Sequence, residues 1–339
     1  MKCLKVPKQM ANDIRKVMME KSLIDLDLKI KRDSEFVYLP LISRVDFEKL
    51  RKLNMCQFLD DLKFEAQKRG PRSFMDFLKD SIESEKIQDI KKSFDIIGDV
   101  VILEIPEELY IHKYIIGKAA LDFTKRKSVF MKKSEIKGIT RTRELEFLAG
   151  EDQSETVHIE YGSRIMLDVK KVYFSPRLAT ERERVAQQVK DGEIIVDMFA
   201  GVGPFVVDIA RQREVHIYAV DINPYAFSYL KHNIALNHIE NKVSPLFGDV
   251  REVLKNKQIT ADRVIMNLPG TAYQFLDLAL ELISPGGILH YYEFASDYET
   301  PINRIKSSAK NRKVKILNKR HVKSRSPGVW HVGIDVQIE

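Results

Sequence analysis

Cysteine is scarce in this 339-residue chain. Only Cys3 and Cys56 occur, which excludes a disulfide framework and a zinc cluster, and no metal site is expected. A reducing, cytoplasmic setting is anticipated, with both thiols as ordinary small side chains. No apolar run approaches the ~20 residues needed to span a bilayer. The opening Met1-Lys2-Cys3-Leu4-Lys5-Val6-Pro7 lacks the apolar stretch of a secretory signal. Acidic residues are missing from Arg304 to Arg325, a stretch with ten Lys and Arg. They are nearly missing from Lys113 to Arg143, where ten basic residues face only Asp122 and Glu135. Residues 1–70 hold 16 basic and 11 acidic side chains; against a whole-chain balance of +7, everything else is net acidic. Positive charge gathered in patches suits a polyanion, because each neutralised phosphate releases counterions. A solvated lysine face accounts for the composition equally well.

What the chain does have is clear punctuation, and it predicts three modules. Residues 1–70 read as a small α/β unit, with helices over 9–22 and Val45–Leu53 and a strand at Phe36–Leu41. Gly70-Pro71 marks a boundary. Residues 71–170 read as a mixed α+β module: a helix at Ser73–Leu78, a strand from Val100, a helix over Tyr114–Phe123, and a hairpin of Thr156–Tyr161 with Arg164–Val169 about Gly162. From 171 to 339 buried strands alternate with helices, the signature of a parallel sheet covered on both faces. Ser175-Pro176 is a good start for a helix reaching about Val189, with a hydroxyl cap and proline at the first turn. The bland reading of the basic tail includes a solvated helix face, whereas its end, Ser324-Arg325-Ser326-Pro327-Gly328, looks like a loop near nucleic acid.

Within the last module, Asp197-Met198-Phe199-Ala200-Gly201-Val202-Gly203-Pro204-Phe205 lies where a strand turns into a helix. The glycines let backbone pass close to a ligand, and the helix start offers free N–H groups. A dinucleotide site would want glycine or alanine three residues after the second glycine, where this chain has Val206. An acid before the glycines suits a cationic sulfonium better than a pyrophosphate. Asp221 follows 24 residues later at the tip of the next strand, placed to accept both ribose hydroxyls of an adenosine. Asp249 ends the third strand, within reach of an adenine amino group. Each acid alone is more often a helix cap; three at successive strand ends are hard to explain that way. Asn267-Leu268-Pro269-Gly270 ends the fourth strand.

This set resembles the archaeal and eukaryotic tRNA (guanine-37 N1)-methyltransferase family. The similarity extends upstream through Arg141-Thr142-Arg143-Glu144-Leu145 and Val172-Tyr173-Phe174-Ser175-Pro176-Arg177 to Glu181. It implies a class I Rossmann-type methyltransferase domain, S-adenosyl-L-methionine as cofactor and tRNA as partner. It also implies that Phe199, Ile222 and Val250 join Asp197, Gly201, Gly203, Asp221, Asp249 and Asn267 around the cofactor. Tyr173, Pro269, Arg143 and Arg177 fall on the substrate side.

The chemistry agrees. Methyltransferases of exocyclic amines typically carry an aromatic residue after Asn/Asp-Pro-Pro, and here Gly270 occupies that position, so a different target atom is expected. Guanine N1 holds a proton at neutral pH and needs a carboxylate base, with a cation steadying charge on O6. By resemblance Glu181 is the base and Arg141 the O6 partner, while Asn267 holds the base edge and Pro269 packs against it. Without the resemblance, Glu181 reads as one more charge on an exposed helix. Activity is expected to fall as pH drops through this carboxylate's titration. The first module is expected to give tRNA a second point of contact. The competing readings are a wyosine-pathway enzyme of the same fold, transferring an aminocarboxypropyl group or methylating a tricyclic guanine, and a non-catalytic RNA-binding protein.

Overall fold

The computed structural model describes residues 1–42, 56–67, 71, 73–79, 81–91, 93–134, 138, 142–255 and 257–339. The expected helix at Val45–Leu53, Gly70 and Arg141 lie outside them. The chain divides into two units, Met1–Asp76 and Phe77–Glu339. No helix among the described residues is long and apolar enough to cross a membrane.

In the first unit, β1 (Cys3–Pro7), β2 (Lys31–Arg32), β3 (Phe36–Pro40) and β4 (Gln57–Leu59) form an antiparallel sheet in the order β2-β3-β1-β4. Helix α1 (Ala11–Glu20) places Ile14 and Met18, four apart and therefore on one face, against Leu4, Val6 and Leu39. The strand β1 was not expected, because lysine and proline interrupt its apolar residues.

A three-ten turn at Phe74–Phe77, which is the form taken by the helix expected there, spans the boundary, and the second unit continues with the short α2 (Ser84–Gln88). Strands β5 (Asp95–Ile97), β6 (Val100–Leu103), β7 (Ser128–Lys132) and β8 (Leu145–Gly150) follow in one sheet. β6 and β7 are parallel and α3 (Lys113–Thr124) makes their crossover. The hairpin of β9 (Glu155–Glu160) and β10 (Ser163–Asp168) turns at Tyr161-Gly162.

Then come α4 (Ala179–Gln188), β11 (Ile194–Asp197), α5 (Pro204–Gln212), β12 (His216–Asp221), α6 (Pro224–Leu236), β13 (Val243–Phe247), α7 (Val250–Leu254), β14 (Ala261–Met266), α8 (Leu276–Leu282), β15 (Ile283–Ala295), α9 (Glu299–Ser308), β16 (Val314–Ser326) and β17 (Val329–Ile338). Their seven strands form one sheet, β13-β12-β11-β14-β15-β17-β16, with the first five parallel and the last two added antiparallel. Ile195 and Val196 on β11 point to opposite faces, and each joins a different buried cluster, so the sheet is covered on both sides.

Two features position the site. From β11 the chain winds outward through β12 and β13, then crosses back to β14 on the other side. The crevice at the carboxyl ends of β11 and β14 is therefore a topological switch point, where open α/β sheets bind ligands. The β9–β10 hairpin is fastened to α6 by two asparagine amides. Asn233 accepts from Met166 N at 2.7 Å and donates to Met166 O at 2.9 Å, and Asn237 repeats the pattern on Arg164 at 3.0 and 2.7 Å. These amides pair the free edge of β10 as a further strand would.

The basic tail was expected to be helix and loop. Only its start is helical, in α9; most of it is β16, an edge strand with three register shifts along its pairing with β17.

Candidate functional site

The turn after β11 is held open by its neighbours. Met198 N donates to Ile265 O at 3.1 Å and Ala200 N to Val220 O at 2.8 Å, tying the turn to β14 and β12. The two glycines have different tasks. Gly203 has a φ of +86°, and a Cβ there would lie 2.5 Å from Leu230 Cδ1, so it is a packing glycine. Gly201, at +58°, faces open space, where a Cβ would meet nothing within 4 Å. Its N–H donates to Asp221 Oδ2 at 2.7 Å, while Asp221 Oδ1 accepts from Asn223 N at 2.8 Å.

Of the three strand-end acids, one is also a cap. Asp249 accepts from Arg251 N at 2.9 Å at the start of α7 and pairs with the Arg251 guanidinium at 2.6 Å. At α6 that task falls to Asn223, which leaves Asp221 at the cleft. Asp197 caps nothing. It is 1% exposed, its Oδ1 accepts from Phe199 N at 3.3 Å, and its Oδ2 is buried without a hydrogen-bond partner. Burial pushes its carboxyl up to about 7, against the Phe199 amide and with help from Asp221.

Gly201, Asp221 and Asp249 border a cleft of about 1330 Å³, larger than one cofactor needs. Phe199, Gly201, Asp221, Ile222, Asp249, Val250 and Asn267 line one part of it. Tyr173 and Arg143 line another, with Lys132, Lys133, Lys323 and Arg325. An open glycine backbone, a carboxylate at the tip of β12 and a buried unpartnered carboxylate oxygen suit an adenosyl sulfonium.

Arg177 is exposed and pairs with Asp95 at 2.6 Å, and Pro269 is buried with its carbonyl accepting from Phe294 N at 3.0 Å; neither lines the cleft. Asp197 and Gly203 stand just behind its wall. Arg141 lies outside the described residues.

Glu181 is not the exposed helix charge that its neighbours in sequence suggested. It is 7% exposed, because α4 packs with that face against the sheet. Arg184 Nε and Nη2 reach its oxygens at 3.0 and 2.8 Å, Arg320 Nε donates at 3.0 Å, and the Tyr292 hydroxyl donates at 2.5 Å. Burial pushes its carboxyl up, but Arg320, Arg184 and Tyr292 outweigh that and hold it at about 2. The cleft-lining residues of this segment are Leu178, at the end of the three-ten turn before α4, and Arg182.

Sequence reasoning missed Arg182, which is 1% exposed, bidentate to Glu160 of β9 at 2.5 Å, and bonded to Ser175 O at 3.2 Å. Ser175 itself does not cap the following turn; its hydroxyl lies 3.4 Å from Lys323 Nζ. Phe294, under the Arg325 guanidinium at 4.3 Å, was missed too. No local pattern marks any of these, since each partner sits on a distant strand.

Residues 156–317 match the TRM5/TYW2 methyltransferase domain, residues 74–153 the TYW2 N-terminal domain, and residues 3–48 the tRNA methyltransferase 5 N-terminal domain. The tRNA (guanine(37)-N(1))-methyltransferase Trm5b of Pyrococcus abyssi is 40% identical over 342 residues, covering 99% of this chain and 98% of that protein. Its wild-type crystal structure superposes with a TM-score of 0.82 at 39% identity, over 100% and 99% of the two chains. A complex of aTrm5 and tRNALeu matches at 0.75 and 37%, over 99% of each chain. Methanocaldococcus jannaschii Trm5 in complex with adenosine matches at 0.68 and 36%, over 100% and 99%. A tRNA(Phe) (4-demethylwyosine(37)-C(7)) aminocarboxypropyltransferase from the same archaeon is 37% identical, over 72% of this chain and 96% of that protein. With similarity that runs through all three matched regions and through nearly the whole length of an archaeal relative, the chain belongs to the TRM5/TYW2 methyltransferase family.

Proposed function

We propose that this protein is a tRNA methyltransferase that moves the methyl group of S-adenosyl-L-methionine to N1 of guanosine 37, beside the anticodon. The observation that carries this reading is the near full-length similarity to an enzyme of that name, which includes the N-terminal region 3–48. The wyosine-pathway relative matches a smaller share of the chain.

Asp221, Asp249, Gly201, Phe199, Ile222 and Val250 hold the adenosyl moiety, and Asp197 stands behind the turn as the acid nearest in kind to a sulfonium's counter-charge. When bound, S-adenosylmethionine supplies an electrophilic methyl group. The cationic part of the cleft, with Lys132, Lys133, Arg143, Lys323 and Arg325, receives the phosphates around a nucleotide turned out of its stack. Tyr173 and Asn267 lie along the path of that base, and the first unit gives the tRNA its second contact.

Guanine N1 must release its proton before its electron pair can form the new N–C bond. Glu181 accepts that proton and Arg141 steadies the charge that moves to O6. Both oxygens of Glu181 are engaged by Arg184, Arg320 and Tyr292, so proton acceptance requires one donor to yield an oxygen.

Mass spectrometry of nucleosides from tRNA incubated with the protein and labelled cofactor tests the reading. The expected product is 1-methylguanosine at position 37. An aminocarboxypropyl adduct, or methylation only of a tricyclic base, would replace it with the wyosine-pathway assignment. In single-turnover transfer, Glu181→Gln should cost on the order of 10² to 10⁴ in rate with cofactor affinity kept.

A further inference from the structure

Glu181 does not stand alone with its arginines. Opposite it, on β17, is the buried Asp335, and the same two guanidiniums serve both carboxylates. Arg184 reaches Asp335 with Nη1 at 2.8 Å and Nη2 at 3.3 Å; Arg320 does so with Nη1 at 3.1 Å and Nη2 at 3.2 Å. Two carboxylates and two guanidiniums make a closed group with no net charge.

Asp335 is fixed from behind. His290 Nδ1 lies 2.7 Å from its Oδ1, and His290 Nε2 lies 2.6 Å from Arg263 Nη1. Arg263 has only N–H groups to offer, so Nε2 must accept, Nδ1 carries the proton, and the ring is neutral. Burial also lowers the His290 pKa, which favours the neutral ring. Arg263 in turn is held by Glu193 at 2.8 and 3.0 Å. Asp335 is therefore an anchored anion on an interior strand, whereas Arg320 stands on the edge strand β16, between two register shifts.

We propose that Asp335 is a positioning residue for methyl transfer, which sets the basicity of Glu181 by sharing its two arginines. This rests on the reading of Glu181 as the base. Two guanidiniums devoted to Glu181 alone would hold its anion too firmly to take a proton. Each bond they make to Asp335 is drawn away from Glu181, and the anchored carboxylate gives Arg320 somewhere to stay when Glu181 must free an oxygen. The other groups facing this centre are the Tyr292 hydroxyl from β15 and, beyond it, the buried His331 from β17, whose ring packs on Tyr292 at 5.5 Å. On α4 itself, Arg182 turns away to Glu160.

Counting charge predicts a pattern that loss of packing would not produce. Asp335→Asn leaves the group with one excess positive charge, makes Glu181 a weaker base, and should slow single-turnover transfer about tenfold or more, with cofactor affinity unchanged. Arg320→Gln leaves one excess negative charge and should raise the Glu181 pKa, so that a loss of rate at acid pH moves up into the measurable range. The double variant is neutral again, and should recover most of the rate lost by Asp335→Asn.

The experiment is single-turnover transfer from labelled S-adenosylmethionine to unmodified tRNA over a range of pH, using the full chain. Glu181→Gln serves as the reference, and thermal unfolding is recorded for each variant. Should Asp335→Asn fail to fold alone, the charge-neutral pair of Asp335→Asn with Arg184→Gln makes the test from the other arginine and should keep most of the parent's rate, whereas a loss as large as that of Glu181→Gln would overturn the sharing. A slow Glu181→Gln beside an Asp335→Asn of wild-type rate would overturn the sharing and leave the base in place. A double variant slower than either single one would reduce Asp335 to a structural role. A Glu181→Gln with the wild-type rate and pH profile would remove both readings together.

Discussion

The Gly201 amide donates to the Asp221 carboxylate at 2.7 Å, so the glycine turn after β11 and the acid at the tip of β12 form one preassembled edge. The second Asp221 oxygen is turned back to Asn223 N at 2.8 Å, which fixes the carboxylate's plane. A carboxylate anchored at the tip of this strand is placed to accept from the ribose hydroxyls of an adenosine. Asp221→Ala should therefore weaken S-adenosylmethionine binding by about 2–3 kcal/mol, through lost charge-assisted bonds and a slackened turn. Calorimetry on the isolated protein checks this; an unchanged Kd would remove Asp221 from the cofactor site.

The two glycines of the turn should separate stability from binding. Gly203→Ala forces a methyl group against Leu230 and strains a left-handed backbone, and should destabilise the protein by roughly 1–3 kcal/mol. Gly201→Ala meets open space, so its stability cost should be only the about 1–2 kcal/mol of a left-handed backbone and smaller than that of Gly203→Ala, but its methyl group would project toward the cofactor. Thermal melts and cofactor titrations of both variants read the two effects apart. Equal stability losses would contradict the division of tasks.

Asp197 should make the unliganded protein less stable as pH rises. Its folded carboxyl titrates at about 7, whereas in the unfolded chain an aspartate titrates at about 4. Between these values the folded state holds the extra proton, so stability falls with rising pH across that window and stays lower above it. Asp197→Asn removes this loss, worth up to about 4 kcal/mol, and should melt higher than the parent near pH ~8. Below pH ~4 the two should converge. Burial also raises Asp208 to about 7, so the variant keeps part of the slope. Cofactor binding should weaken in the same variant, and parallel melting curves at all pH values would refute the assignment.

Affinity for tRNA should fall steeply with salt, because phosphate contacts dominate such binding. Lys323 and Arg325 of β16 line the cleft, and Lys315 and Lys319 lie on the same edge strand. Replacing several of them together should flatten the salt dependence by about one phosphate contact for each cation removed. A slope equal to the parent's would make them ordinary solvated charge.

Glu181 carries a lesson about what residue order conceals. A base with an ordinary carboxylate pKa would lose activity near pH ~4. Held at about 2 by Arg320, Arg184 and Tyr292 against the upward push of burial, it should show no such loss in the wild-type protein at the pH values where proteins usually remain folded. The donors responsible, Arg320 and Tyr292, come from 139 and 111 residues away, and no spacing rule connects them.

The cofactor half was legible because its logic is local. A β-branched strand, a glycine turn and a helix with proline in its first turn follow one another within a short stretch, and period and punctuation reveal them directly. The acids at the ends of β11, β12 and β13 could be named from sequence for the same reason. The tail was misread because β16 is an edge strand: one side is solvated, three register shifts break its alternation, and its lysines resemble any exposed surface. The burial of Glu181, the neutral tautomer of His290, and the sharing of Arg184 and Arg320 with Asp335 depend on which side chains the sheet order brings face to face. Sequence determined the residues and their local geometry. Tertiary packing decided their charge states, because a buried group's ionisation is set by the partners that replace water, and those partners come from other strands.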